Sequence, residues 1–256
     1  MATLDLLRRR CLKPWLLQLS LVVILGCSRH VESQPGICLS FDDRNLEQWV
    51  DILPLLKEND AKVTFFLNGV ETLNSAEKSM INQIRDEGHD IQAHGEHHFS
   101  MNSYISGEGL FSYLKEEIDG HLECFEALGI SPTVFAYPFG EKNHYIDLFL
   151  WRKFSATRNV ASKRGDLDQM DEIFYRISEA RFHFFSLAID DSEAVSDAQL
   201  AMAVRRAQQN DEVLLVHAHE IGEERNLGIS RNRLKWLLET GRKSGLKHYT
   251  YAELSK

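Results

Sequence analysis

The sequence predicts an α/β fold, a single-domain deformed or incomplete (β/α) barrel, on three observations. Apolar runs of strand length alternate with longer segments of helical period, no linker divides them, and acids and imidazoles recur just after the runs. The chain has 256 residues, 43% of them hydrophobic, which suffices for one large core. The predicted strands are Ile37 to Phe41, Val63 to Leu67, Asp90 to His94, Thr133 to Tyr137, Phe154 to Thr157, Phe182 to Ile189, Val213 to His217 and Lys247 to Thr250. Between them the helical period covers Leu46 to Glu58, Ala76 to Glu87, Gly109 to Leu128, Tyr145 to Arg152, Asp197 to Asn210 and Arg231 to Ser244. Gly88, Gly129 and Gly245 stand where three of these helices should stop, and glycine supplies the left-handed cap.

The first residues read as a targeting segment rather than as fold. Arg8, Arg9, Arg10 and Lys13 precede an apolar run from Trp15 to Leu25, and a signal peptide is expected over residues 1–26. Ile24-Leu25-Gly26-Cys27 resembles a bacterial lipobox, which implies cleavage before Cys27 and its acylation. A membrane-spanning anchor is the alternative, but the run falls short of the ~20 residues that a spanning helix needs. The expected place is the bacterial cell envelope, lipid-anchored, at an outer membrane facing the periplasm where one exists. A short linker over residues 27–36 would lead into a domain over residues 37–256. Cys38 sits in an apolar strand and Cys124 in a helical pattern, so both read as buried free thiols rather than nucleophiles, although an exported compartment would permit a disulfide. The formal charge of -9 argues against nucleic acid as a partner, since phosphate binding rests on Lys and Arg.

In parallel β/α barrels the chemistry gathers where strands end at their C-terminal side. Asp42 and Asp43 end the first strand, His94 to His98 the third, Tyr137 to Gly140 the fourth, Asp190 and Asp191 follow the sixth, and His217 and His219 end the seventh. One carboxylate and two imidazoles with a position left open for water suit a hydrolytic divalent metal. His94 and His98 stand at i and i+4, and Asp42-Asp43 offers one acid for a metal and one for a proton. Taken singly, an Asp-Asp pair is commonly a solvated turn, and His89 reads as structural.

Together these segments resemble the polysaccharide deacetylases of the NodB-homology type, carbohydrate esterase family four. Ser40-Phe41-Asp42-Asp43 is similar to their first motif, His94-x-x-x-His98 to the second with Gly95 where Ser or Thr is common, Phe135-Ala136-Tyr137-Pro138-Phe139-Gly140 to the third, and Leu214-Leu215-Val216-His217 to the fifth. The resemblance runs from Gly36 to Leu254. It implies Asp43, His94 and His98 as metal ligands, Asp42 as general base and His217 as general acid. It further implies Phe139, through its backbone N–H, and Tyr137 as contacts to the oxyanion and substrate. One divalent metal is expected, zinc first, with cobalt or nickel able to occupy the same ligands. The implied substrate is an N-acetylated glycan, such as an exopolysaccharide, peptidoglycan or a chitin-like polymer.

Two departures mark this chain. Ala136 stands where many members have the arginine that partners the base, and Arg176 is the candidate replacement. The fourth motif is reduced to Ala188-Ile189-Asp190-Asp191 without its tryptophan, which leaves Asp190 and Asp191 as supporting candidates and His219 unassigned. Two other readings stay open: a hydrolase of another amide, such as a formamido sugar, and a lipid-anchored glycan-binding protein without catalysis. The oligomeric state is not legible.

Overall fold

The computed structural model describes residues 34–222 and 227–256. The expected signal peptide, Cys27 and most of the linker lie outside them. Seven parallel strands close into a barrel: β1 (Gly36–Asp43), β2 (Thr64–Leu67), β3 (Asp90–Ala93), β4 (Val134–Ala136), β5 (Ala156–Ala161), then, after a two-residue β6 (Phe174–Tyr175), β7 (His183–Ala188) and β8 (Val213–Ala218). β8 returns to β1 with Gly36 opposite Val213 and Phe41 opposite Ala218, so the sheet has no open edge there. β6 pairs antiparallel with the start of β8, outside the ring.

Period-two alternation decides which side chains fill the lumen. From β1, Ile37, Leu39 and Phe41 pack outward under the helices, whereas Cys38 joins Phe66, Ala136, Phe184 and Leu215 inside. The same alternation turns Ser40 and Asp42 inward, buried above Cys38. The expected eighth barrel strand is not part of the ring. β2 meets β1 only from Ser40 onward, so the free edge at Gly36 and Ile37 is filled by a short strand at Lys247–His248. Tyr251, on the closing helix Tyr251–Leu254, plugs the foot of the lumen against Phe66 and Phe184. Cys38 and Cys124 are both free, one in the lumen and one on a helix packed outside. No helix of the described residues is long and apolar enough to cross a membrane.

The helices follow the period with three local corrections. Leu46 to Glu58 is two helices, Leu46–Asp51 and Leu53–Glu58, because Pro54 lacks the N–H and its ring opposes the carbonyl of Val50. Leu110 to Ala127 carries a π-helical stretch at Leu114–Asp119, and a separate helix, Met101–Glu108, occupies what read as loop. Gly88, Gly129 and Gly245 do adopt φ of 81°, 66° and 69°.

Two histidines far from the mouth make the fold acid-sensitive. His89 accepts a hydrogen bond from the N–H of Val63 at 3.3 Å, and burial, then Lys62, pushes it down to about 4. His248, at the foot, is also pushed down to about 4 by burial. Both folded values lie below the unfolded one near 6.5, so their stabilising contribution is complete above about pH 6.5 and is lost as pH falls toward 4. Between pH 7 and 5 the loss should be roughly 2 kcal/mol per histidine. Urea midpoints at the two pH values measure it, and His248→Gln should flatten the dependence.

Candidate metal and catalytic site

A cavity of about 260 Å³ opens at the C-terminal ends of the strands, lined by Asp42, Asp43, His94, His98, Tyr137, Phe139, Arg158, His217 and His219, with Val160, Ala188, Glu193 and Leu227. Asp42 completes the inward series of β1 and is buried. Asp43 should face outward by alternation, but its φ of 78° turns the chain out of the strand. Its Oδ1 then lies 3.4 Å from His98 Nε2 and 3.7 Å from His94 Nε2. One ligand atom from each of the three residues lies within 4.8 Å of the other two. His94 donates from Nδ1 to the carbonyl of Ala136 at 3.0 Å, which fixes the ring and leaves Nε2 for a metal. A carboxylate oxygen and two imidazole nitrogens at this spacing fit a divalent transition metal.

The loop that presents the imidazoles is held from below by buried charge. Glu117, on the π-helical stretch, accepts from the backbone N–H of His97 at 2.7 Å and of Phe99 at 3.4 Å. Gly95 has φ of 79°, and a Cβ there would fall 2.4 Å from Glu117 Oε2, which explains glycine where Ser or Thr was expected. His121 joins the carboxylate of Glu96 at 2.7 Å to the carbonyl of Leu67 at 3.1 Å, fastening the same loop to the end of β2. His97 lies tilted against Phe99, ring centroids 5.1 Å apart, and does not line the cavity.

The arginine beside Asp42 is Arg158, not Arg176. Arg158 lies wholly buried on β5, its guanidinium ion-paired to Asp42 Oδ2 and 4.9 Å above the ring of Phe66. Burial alone would raise the Asp42 carboxyl. Arg158, with the nearby imidazoles, outweighs burial and holds it well below the usual carboxylate range. Asp43 is raised, by burial and by Asp42. Arg176 is half exposed and pairs with Glu212 at 3.1 Å, beside the start of β8 and therefore at the opposite end of the barrel. Antiparallel pairing of β6 is what carries it there. The strand read as Phe154 to Thr157 runs instead from Ala156 to Ala161, and that shift makes Arg158 an inward residue. Its place just after an apolar run gave no local signal of a partner on β1.

The fourth-motif acids part company. Asp190 is wholly buried; its Oδ2 accepts from His219 Nδ1 at 2.7 Å and its Oδ1 from the His219 backbone N–H at 3.0 Å. Burial opposes a charge on His219, but Asp190 and Asp42 outweigh it and push the imidazole up to about 9. Asp191 faces away, accepting from the N–H of Ser230 at 2.8 Å and lying 3.4 Å from Arg233. His217 is buried with Nδ1 2.8 Å from Ser186 Oγ, and burial, then Arg158, holds it well below its ordinary value. Tyr137 lines the cavity, but its hydroxyl is committed to Asp147. Phe139, at φ of 58°, is largely exposed at the mouth, its ring edge-on to His98 at 4.6 Å.

A closed parallel barrel with acids and imidazoles converging on one mouth defines a hydrolase-type site, and the comparisons place it. Residues 30–152 match the polysaccharide deacetylase family. That stretch, just under half of the chain, is similar to a polysaccharide deacetylase domain, and the barrel shares the deformed (β/α) fold of solved deacetylases. Over 89 residues it is 32% identical to the chitin deacetylase of Colletotrichum lindemuthianum, and over 90 residues 31% identical to the uncharacterized protein YlxY of Bacillus subtilis (strain 168). These stretches cover 33% and 35% of this chain, and 34% and 26% of those proteins, so only about a third and a quarter of their lengths is spanned. In structure it is similar to the peptidoglycan deacetylase PdaC from Bacillus subtilis, with a TM-score of 0.53 and 18% identity, over 86% of this chain and 90% of that one.

Proposed function

We propose that the chain hydrolyses N-acetyl groups on amino sugars of a polysaccharide, using a divalent metal held by Asp43, His94 and His98. The observation that carries this reading is the convergence of these three ligands beside an ionised, arginine-paired Asp42 in one cavity. Bound there, a divalent metal would polarise the amide carbonyl and acidify a water molecule. Asp42, kept anionic by Arg158, takes the proton of the attacking water. The backbone N–H of Phe139 steadies charge building on the carbonyl oxygen. His217 delivers a proton to the leaving nitrogen, which would otherwise depart as an amide anion. His219, held by Asp190, stands beside His217, their ring centroids 5.6 Å apart. Val160, Ala188 and Leu227 give the cavity an apolar wall suited to a methyl group.

The ligand assignment has a direct test in metal content. Elemental analysis of the purified protein should find one divalent metal, zinc first with cobalt or nickel as substitutes, and alanine at Asp43, His94 or His98 should lose it. Stoichiometric metal in all three variants would sink the assignment. For localisation we propose acylation at Cys27 in the cell envelope, on the lipobox-like Ile24-Leu25-Gly26-Cys27. Cys27→Ser should release the protein from the membrane fraction or leave its precursor uncleaved, and an unchanged mature mass and distribution would argue against the anchor.

A further inference from the structure

We propose that Asp42, His217 and His219 form a second divalent-cation site, beside the one on Asp43, His94 and His98, and that a cation bound there silences the enzyme by occupying its base and its acid. The silencing rests on the roles given to Asp42 and His217 above; the cation site rests on geometry alone. One ligand atom from each of the three side chains lies within 4.8 Å of the other two, the same spacing as in the first set and the same donor chemistry, one carboxylate and two imidazoles.

The imidazoles are oriented from behind as metal-binding histidines commonly are. His217 Nδ1 is engaged by Ser186 Oγ at 2.8 Å and His219 Nδ1 by the buried carboxylate of Asp190 at 2.7 Å, so each ring keeps Nε2 for a cation. Asp42 supplies the independent observation. Its Oδ2 is taken by Arg158, whereas its Oδ1 is buried and has no hydrogen-bond donor among the described residues. An orphaned carboxylate oxygen in such a place costs free energy that a cation would recover.

Electrostatics ranks the two sites. Asp43 has no arginine partner among the described residues, whereas Asp42 is already paired with Arg158. A cation on the second set therefore meets Arg158 and must replace the proton that Asp190 favours on His219, so it binds more weakly and fills only when metal is in excess.

Zinc binding to the purified protein, followed by equilibrium dialysis with elemental analysis, tests the proposal. Two zinc ions per chain are expected, the second weaker by at least about tenfold. His219→Ala and Asp42→Asn should keep the first and lose the second, the retained ion reporting an intact barrel, and His94→Ala should do the reverse. Acetate release from an N-acetylated glycan should fall as the second ion binds. Saturation at one zinc, or a second zinc that survives both His219→Ala and Asp42→Asn, would overturn the site. Acetate release that rises as the second ion binds would overturn its inhibitory role. Absence of acetate at one zinc per chain would instead count against the deacetylase reading, with the two-zinc stoichiometry still standing.

Discussion

Asparagine in place of Asp42 should leave the first metal bound and cut deacetylation by at least about two orders of magnitude, the usual contribution of a general base. The substitution is nearly isosteric and the ligand of the first set is Asp43, so elemental analysis and acetate release should part company. The neutral amide also keeps an oxygen facing Arg158, which limits the effect on folding. His217→Ala should behave alike. His219→Ala should lose less, because His219 neighbours the donor rather than meeting the leaving nitrogen. Undiminished acetate release by Asp42→Asn would remove the base from the mechanism.

Loss of Arg158 should be felt first in stability. Its guanidinium is tied to Asp42, and Nε and Nη1 are buried without hydrogen-bond partners among the described residues. Arg158→Met therefore leaves a buried carboxylate unpaired, a change that typically costs about 3–5 kcal/mol. The sign with pH follows from the lowered Asp42 carboxyl. Its stabilising share is complete above the unfolded value near 3.9 and is lost as pH falls below that. The gap between parent and variant should thus be widest at neutral pH and shrink in acid. With Arg158 gone, burial dominates and raises Asp42, so the acid limb of kcat/KM should move to higher pH. Urea midpoints across pH, with the rate profile, measure both effects. Equal stability at pH 7 would mean that the pair contributes nothing.

Contiguity decided how much of the site could be read in the sequence. Asp42-Asp43 and His94-x-x-x-His98 each lie within one strand end, so residue type and spacing were enough to propose their chemistry. Arg158 is tied to Asp42 across 116 positions, and no local pattern announces such a pair. The Thr157-Arg158-Asn159 stretch reads as the exit from a strand because arginine is rarely buried, yet here its charge is offset by a partner in the lumen. His219 was visible but ambiguous, since only the end of β8 and the buried Asp190 decide that it faces the cavity. Glu117 has no distinguishing pattern within its helical segment; the π-helical stretch is what aims it at the histidine loop. For the fold, alternation and glycine stops gave the order of elements, whereas closure depended on β8 reaching β1, a pairing between distant segments. The intact Asp42, Asp43, His94, His98 and His217, joined by Arg158, weigh against a binder that has lost catalysis.

Acetate release is the most direct measurement of the central claim. The purified protein, stripped of metal and reloaded with one zinc per chain, should release acetate from N-acetylated glycans such as chitin oligomers or peptidoglycan. Release should stop on chelation and return with zinc. The account is contradicted if the reloaded protein binds these glycans yet releases no acetate with zinc, cobalt or nickel supplied.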